Sequence, residues 1–196
     1  MDKIRYAVAL LVLLTYPPAL LLWLGIHPWA RHWRRLGMAA AYAILALPAS
    51  ALVYGLYALR KTLIGRDFGT SWFLVGLSVV CLAAAGWIAK QRLKHLTFEM
   101  LAGRPELSAA AYPGRMLTEG IYARMRHPRY VEVTLWVLGY ALLANHLGTY
   151  VLWLISLPTI HLVTVLEERE LRQRFGAAYD AYARKVPRYL PRGGTR

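Results

Sequence analysis

Arg126-His127-Pro128-Arg129-Tyr130 and Glu167-Glu168-Arg169-Glu170-Leu171 enclose a stretch, 131–166, that is almost entirely apolar. Within it, Val131 to Ala144 and Gly148 to Leu166 read as two membrane helices, with Asn145 and His146 as a tight polar turn between them. Ionisable groups placed against hydrocarbon are energetically expensive, so a cluster of them at one end of a membrane hairpin marks a site.

The segments upstream extend this reading to the whole chain. Tyr6 to Ile26, Leu36 to Leu59 and Trp72 to Ala89 are nearly free of charge and reach the roughly 17 to 25 residues that a spanning helix needs. The expected fold is therefore all-α, a polytopic membrane protein of about five transmembrane helices. The first block is too long for the apolar region of a signal peptide, and Trp23-Leu24-Gly25-Ile26-His27 offers no small-residue cleavage site, so it reads as an uncleaved anchor. Residues 1–196 form one membrane domain, with scaffold helices over 1–89, a connecting loop over 90–130 and a hairpin plus catalytic carboxyl-terminal segment over 131–196. The scaffold carries little chemistry. Its prolines Pro17, Pro18 and Pro48 are expected to kink helices, and Trp23, Trp29, Trp33 and Trp72 lie near span ends as interfacial anchors do. Gly103, Pro105, Pro113 and Gly114 mark irregular backbone in the long loop, and Gly193-Gly194-Thr195-Arg196 reads as a frayed end.

Downstream of the hairpin, Leu171, Phe175, Tyr179, Tyr182 and Val186 advance at helical spacing among Arg172, Arg174, Asp180, Arg184 and Lys185. This predicts an amphipathic tail helix lying on the interface or folding back over the spans, stopped by Pro187 and Pro191.

The formal charge of +14 sorts by membrane side. Nineteen of the 24 Lys and Arg residues fall in the first loop, the 90–130 loop and the tail, against Lys3, Arg5, Arg60, Lys61 and Arg66 on the opposite side. The positive-inside rule puts the amino terminus outside and the carboxyl terminus and active site in the cytoplasm, in a bacterial-type inner or plasma membrane. Attraction to an anionic leaflet accounts for the basicity without nucleic acid. Cys81 is the single cysteine, so one chain can build neither a disulfide framework nor a thiolate metal cluster. The six histidines are scattered, without zinc-ligand spacing, and no metal is expected. Neither a phosphate-binding loop nor a glycine-rich dinucleotide fingerprint is present.

At about 1.5 Å per residue, Pro128 to Ala144 descends about 24 Å and Gly148 to Glu167 climbs about 29 Å, so the two charged motifs meet at one membrane surface. Pro128 suits the first turn of its helix, and the amides there favour an anion. His161 is about 9 Å below Glu167 on the same count and shares a helix face with Glu168. The hairpin is expected to gather His127, Tyr130, Glu132, His161, Glu167 and Glu168 around one pocket.

The ordered set Gly120-Ile121-Tyr122, Arg126-His127-Pro128-Arg129-Tyr130, Glu167-Glu168-Arg169-Glu170-Leu171, Phe175-Gly176, Tyr179, Tyr182 and Val186-Pro187-Arg188 resembles the isoprenylcysteine carboxyl methyltransferase and phospholipid methyltransferase superfamily of integral membrane enzymes. The resemblance covers residues from about Leu117 to Arg192. It implies S-adenosylmethionine as cofactor, held by Tyr122, Arg126, His127, Pro128, Tyr130, Glu167 and Glu168 beneath the carboxyl-terminal segment. One departure stands out, since many relatives carry glycine two residues after the motif tyrosine where this chain has Glu132.

The chemistry of the residues agrees. A sulfonium, an ammonium and a carboxylate call for acids and cations close together, and in-line methyl transfer needs no metal, only near-attack geometry. Arg188 or Arg184 is a candidate to hold an anionic acceptor, and Glu132 to favour an amine or to deprotonate a thiol or hydroxyl. The acceptor is expected to be lipid-like or small; a prenylated cysteine, an ethanolamine phospholipid, a thiol and an isoprenoid acid all stay open. Two other readings stay open as well, a sterol-reductase-type enzyme using NADPH and a non-enzymatic membrane protein whose charges serve topology and docking.

Overall fold

A computed structural model of the chain describes residues 1–95, 107 and 115–191. The expectations placed on Gly103, Arg104, Pro105, Pro113, Gly114 and on Arg192 to Arg196 lie outside the described residues. The helices are α1 (Asp2–Ile26), α2 (Ala30–Leu36), α3 (Met38–Ala58), α4 (Arg60–Ile64), α5 (Trp72–Leu93), α6 (Pro128–Ala144), α7 (Leu147–Phe175) and α8 (Ala177–Lys185), with a 3-10 turn at Gly120–Ala123. Among the described residues there is no strand, only an isolated bridge between Asp67 and His146.

Four of these helices, α1, α3, α5 and α7, are long and apolar enough to cross a membrane. Helix α6 has only 17 residues, yet it runs the length of the bundle as the fourth of five expected spans. At its start, Arg126 and His127 meet Glu168 near the end of α7. At its finish, the Ala144 carbonyl accepts a hydrogen bond from the Arg5 guanidinium in the first turns of α1. The surface agrees with a lipid setting. Leu47, Tyr54, Trp72, Phe73, Val79, Val80, Leu154 and Ile155 all face outward, the reverse of a bundle designed for water.

Local chemistry sets the helix ends. Pro128 occupies the first turn of α6, where a missing N–H costs nothing. Asn145 closes that helix in the left-handed conformation at φ 51°, which asparagine tolerates better than most residues. Pro17 and Pro18 lie inside α1, Pro48 inside α3 and Pro158 inside α7, and none of them ends its helix. Helix α7 runs well beyond Leu166, through both charged motif residues to Phe175. This corrects the expected tail helix, because residues 171–175 belong to α7 and the chain turns at Gly176, φ 54°, a backbone region that side chains disfavour. Helix α8 then ends at Lys185, before Pro187.

The core joins α1, α6 and α7 through Val12, Tyr16, Tyr130, Val137, Ile160 and Val163. Helix α5 packs along α6, where Ser78 donates to the Gly139 carbonyl at 2.7 Å. At the end of the bundle away from the motifs, Arg5 is 1% exposed and pairs with Asp2 and Asp67. There Asn145 donates to the Gly69 carbonyl at 2.8 Å and Tyr150 donates to Asn145. This polar knot fixes the α6–α7 turn and thereby the height at which the opposite ends of the two helices stand.

Candidate functional site

The α6–α7 hairpin brings the two charged motifs into contact, as their spacing predicts. Glu168 is 1% exposed and is surrounded by cations. Its carboxylate accepts from Arg126 Nη2 at 2.8 Å, from Arg188 Nε at 3.0 Å and Nη2 at 2.8 Å, and stands 3.1 Å from His127 Nε2. With this many cations at one carboxylate, the ionised form is strongly favoured.

Arg126 also clasps the tail. Its Nη1 donates to the carbonyls of Ala183 and Val186 at 2.6 and 2.7 Å. The backbone N–H groups of Arg126 and His127 donate to the carbonyls of Pro187 and Arg188, and Tyr182 donates its hydroxyl to the Tyr122 carbonyl at 2.6 Å. The carboxyl-terminal segment therefore folds back over the motif loop. Burial pushes the Tyr182 phenol up to about 12, against the opposing charge of Arg126, so it remains a donor at neutral pH.

Glu167 plays a different part. Its side chain is 29% exposed, and it lines a cavity of about 130 Å³. His127 stands between the two acids, with Nδ1 3.7 Å from Glu167 and Nε2 3.1 Å from Glu168. Burial disfavours its charged form, but the hydrogen bonds and charges of both glutamates outweigh it and raise the His127 pKa above the ordinary 6.5. Tyr122, Arg126, His127, Pro128, Arg129 and Tyr130 form the motif wall of the cavity, while Leu171, Arg174, Phe175, Tyr179 and Tyr182 form the wall given by α7 and α8.

Two residues expected to belong with this group stand elsewhere. Glu132 is buried against α5, where Arg92 Nε and Nη2 donate to its two carboxylate oxygens at 2.7 and 3.1 Å. It does not line the cavity, because four residues of helix beyond Pro128 carry it toward α5. His161 lies exposed on α7, with Nδ1 3.1 Å from the Tyr189 hydroxyl. It shares the helix face of Glu168 but sits two turns deeper, beneath the cavity. Arg188 grips Glu168 from the tail and is not part of the lining.

The sequence reading missed contributions from α1. Trp23 and His27 line the cavity. Their rings stack at 5.1 Å, and the Arg129 guanidinium lies 4.3 Å from the Trp23 ring centroid, a cation–π arrangement. Trp23 reads as an interfacial anchor, and the pair His27-Pro28 carries no motif. Only the position of both at the same membrane end as Arg126 hints at their role. Among the described residues, no group of three His, Cys, Asp or Glu side chains could hold a metal ion.

In what it can do, the cavity offers an accessible acid, guanidinium groups and aromatic faces under a folded-back tail. That combination suits a zwitterion that also carries a flat ring.

Comparison with known proteins points the same way. Over 77 residues, the chain is 38% identical to the protein-S-isoprenylcysteine O-methyltransferase of Schizosaccharomyces pombe, covering 39% of this chain and 33% of that protein. Over 78 residues it is 37% identical to the probable protein-S-isoprenylcysteine O-methyltransferase of Oryza sativa subsp. japonica, covering 39% and 41%. It is 34% identical over 82 residues to the protein-S-isoprenylcysteine O-methyltransferase B of Arabidopsis thaliana, with 39% and 40% covered. The similarity thus spans well under half the length of these relatives. They are eukaryotic and lend nothing to the expected bacterial-type membrane. No solved structure matches the chain. The nicotinamide-reductase alternative finds no support in these matches. Residues 72–178, more than half of the chain and the stretch from α5 into α8, match the model of the phospholipid methyltransferase family. With its paired motifs joined at one end of a membrane bundle, the chain belongs to the phospholipid methyltransferase family.

Proposed function

We propose that this integral membrane protein transfers a methyl group from S-adenosylmethionine to a lipid-borne acceptor at the membrane face that carries Arg126 and Glu168. The observation that carries this reading is the placement of Glu167 beside Arg126 and His127 on the wall of one cavity roofed by the tail. The named relatives, isoprenylcysteine O-methyltransferases, support it. By the positive-inside rule this face is cytoplasmic and the amino terminus lies outside.

The donor set fits the cofactor. When bound, S-adenosylmethionine supplies an electrophilic methyl on a sulfonium. Glu167 would bind the ammonium group, Arg129 on the same wall would hold a carboxylate, and Tyr122, Phe175 and Tyr179 offer faces to an adenine ring. Glu168 positions Arg126 and His127 rather than touching the cofactor. The folded-back tail keeps water from the reacting centre, where electrostatic interactions are stronger than in bulk solvent. The acceptor approaches from the apolar side of the cavity near Trp23 and Leu171, with its lipid chain left among the helices. Holding donor and acceptor in line is the main catalytic contribution.

Isothermal titration of detergent-purified protein with S-adenosylmethionine, S-adenosylhomocysteine and NADPH tests the reading. Both adenosyl compounds should bind and NADPH should not. Glu167→Gln should weaken S-adenosylmethionine binding by about tenfold, or about 1.4 kcal/mol. Unaltered affinity in that variant, or preference for NADPH, would sink the proposal.

A further inference from the structure

A second cavity opens on the same face as the first, between α2 and the end of α7. We propose that it binds the headgroup phosphate of an anionic phospholipid, which sits there beside the methyl-transfer cavity and separately from any acceptor.

The groove measures about 320 Å³ and is walled by Arg31, His32, Arg34, Arg169 and Glu170. The single acid among these is already engaged, for Glu170 lies 3.2 Å from His27 Nδ1, 3.2 Å from Arg34 and 3.9 Å from Arg174. Arg31 and Arg169 are exposed, and among the described residues they have no carboxylate partner. The groove therefore carries uncompensated positive charge. His27 adds an independent observation. Its side chain is 1% exposed and Nδ1 faces Glu170, while Nε2 has no hydrogen-bond partner. A buried nitrogen left this way is rare in folded proteins and signals a missing partner. Guanidinium groups suit phosphate geometry, and Arg31 and Arg169 supply two of them at the groove.

A lipid, and not a soluble phosphate, fits the surroundings. Helix α2 links the membrane-length helices α1 and α3. It is flanked by Trp29 at 57% and Leu36 at 54% exposure, an aromatic and an aliphatic anchor at the depth where phosphates of the bilayer lie. Basic residues beside such anchors are the usual recognition elements for anionic leaflets. His27 lines both cavities, so an occupied groove borders the methyl-transfer site through one shared residue.

The test is a binding titration of detergent-purified protein, read by native mass spectrometry, with short-chain phosphatidylglycerol, short-chain phosphatidylcholine and inorganic phosphate. Phosphatidylglycerol should bind at least about tenfold more tightly than phosphatidylcholine. The double variant Arg31→Gln/Arg169→Gln should lose that preference while keeping the lipid-free melting temperature of the wild type. The control Lys90→Gln/Arg124→Gln, which removes two exposed charges from the same face, should keep it. Equal affinity for the two lipids overturns the proposal. So does competition by inorganic phosphate at equal concentration, or an equal loss in the control variant. Because the readout is lipid affinity, failure here leaves the methyl-transfer reading standing.

Discussion

Arg126 and Glu168 meet at 2.8 Å although 42 residues separate them, and the same arginine holds the carbonyls of Ala183 and Val186. One ion pair thus closes the hairpin and fastens the tail over the cavity. Glu168→Gln should leave Arg126, Arg188 and His127 without their shared counter-charge, at a cost of about 3–5 kcal/mol for breaking a buried pair from one side. Limited trypsin digestion should then cut after Lys185 much faster than in the wild type. An unchanged digestion rate would mean that the tail is held by other contacts.

The raised pKa of His127 gives the closed form a pH dependence with a definite sign. A folded-state value above the unfolded one stabilises the fold fully below the ordinary 6.5, and this contribution is lost as pH rises through the folded value. The groups facing the ring are Glu167, Glu168, Tyr130 and Tyr189 and, across Glu168, Arg126 and Arg188. Melting temperature should therefore fall as pH rises above about 6.5. His127→Gln should flatten that slope. An equally steep decline in the variant would assign the effect to another group.

Arg92 and Glu132 form a bidentate pair between α5 and α6, with both side chains nearly buried. Removing one partner leaves a charge stranded, so Glu132→Gln should destabilise the protein by about 3–5 kcal/mol. The double replacement Arg92→Met/Glu132→Leu should recover most of the loss, since apolar residues of similar size can replace a buried pair. Chemical denaturation in a fixed detergent measures both. Loss of methyl transfer in the double variant despite restored stability would return Glu132 to the catalytic machinery.

Helix α7 begins against α4, and a Cβ at Gly148 would collide with the Leu63 backbone carbonyl. Backbone cannot step aside as a flexible side chain can. Gly148→Ala should lower the melting temperature by several degrees, roughly the effect of 1–3 kcal/mol of overpacking. Gly55→Ala, where nothing lies within 4 Å, serves as the matched control and should leave the melting temperature at or above that of the wild type.

Much of this architecture was legible from spacing alone. Val131 to Ala144 and Gly148 to Leu166 form two helices joined by Asn145, so the height at which Arg126 and Glu168 meet follows from helical rise. Contacts between distant helices left no such trace. Nothing local joins Trp23 and His27 to Arg129, because α1 reaches the cavity only through packing. Glu132 finds its partner Arg92 forty residues upstream, where a basic residue at the end of a span reads as a topological signal. His161 shows the limit of periodicity, which fixes the angle around α7 but not which depth the cavity occupies. The break at Gly176 was hidden by a hydrophobic pattern that continues across it, although α7 ends at Phe175 and α8 starts at Ala177.

The 17 residues of α6 extend about 25 Å, less than the roughly 30 Å of hydrocarbon in an ordinary bilayer. A bilayer fitted to a helix of that length would have to thin beside it, on the side of the bundle where the site's floor lies. Thickening the host bilayer, by lengthening the acyl chains of reconstituted vesicles, would then slow turnover without altering the affinity for the soluble donor.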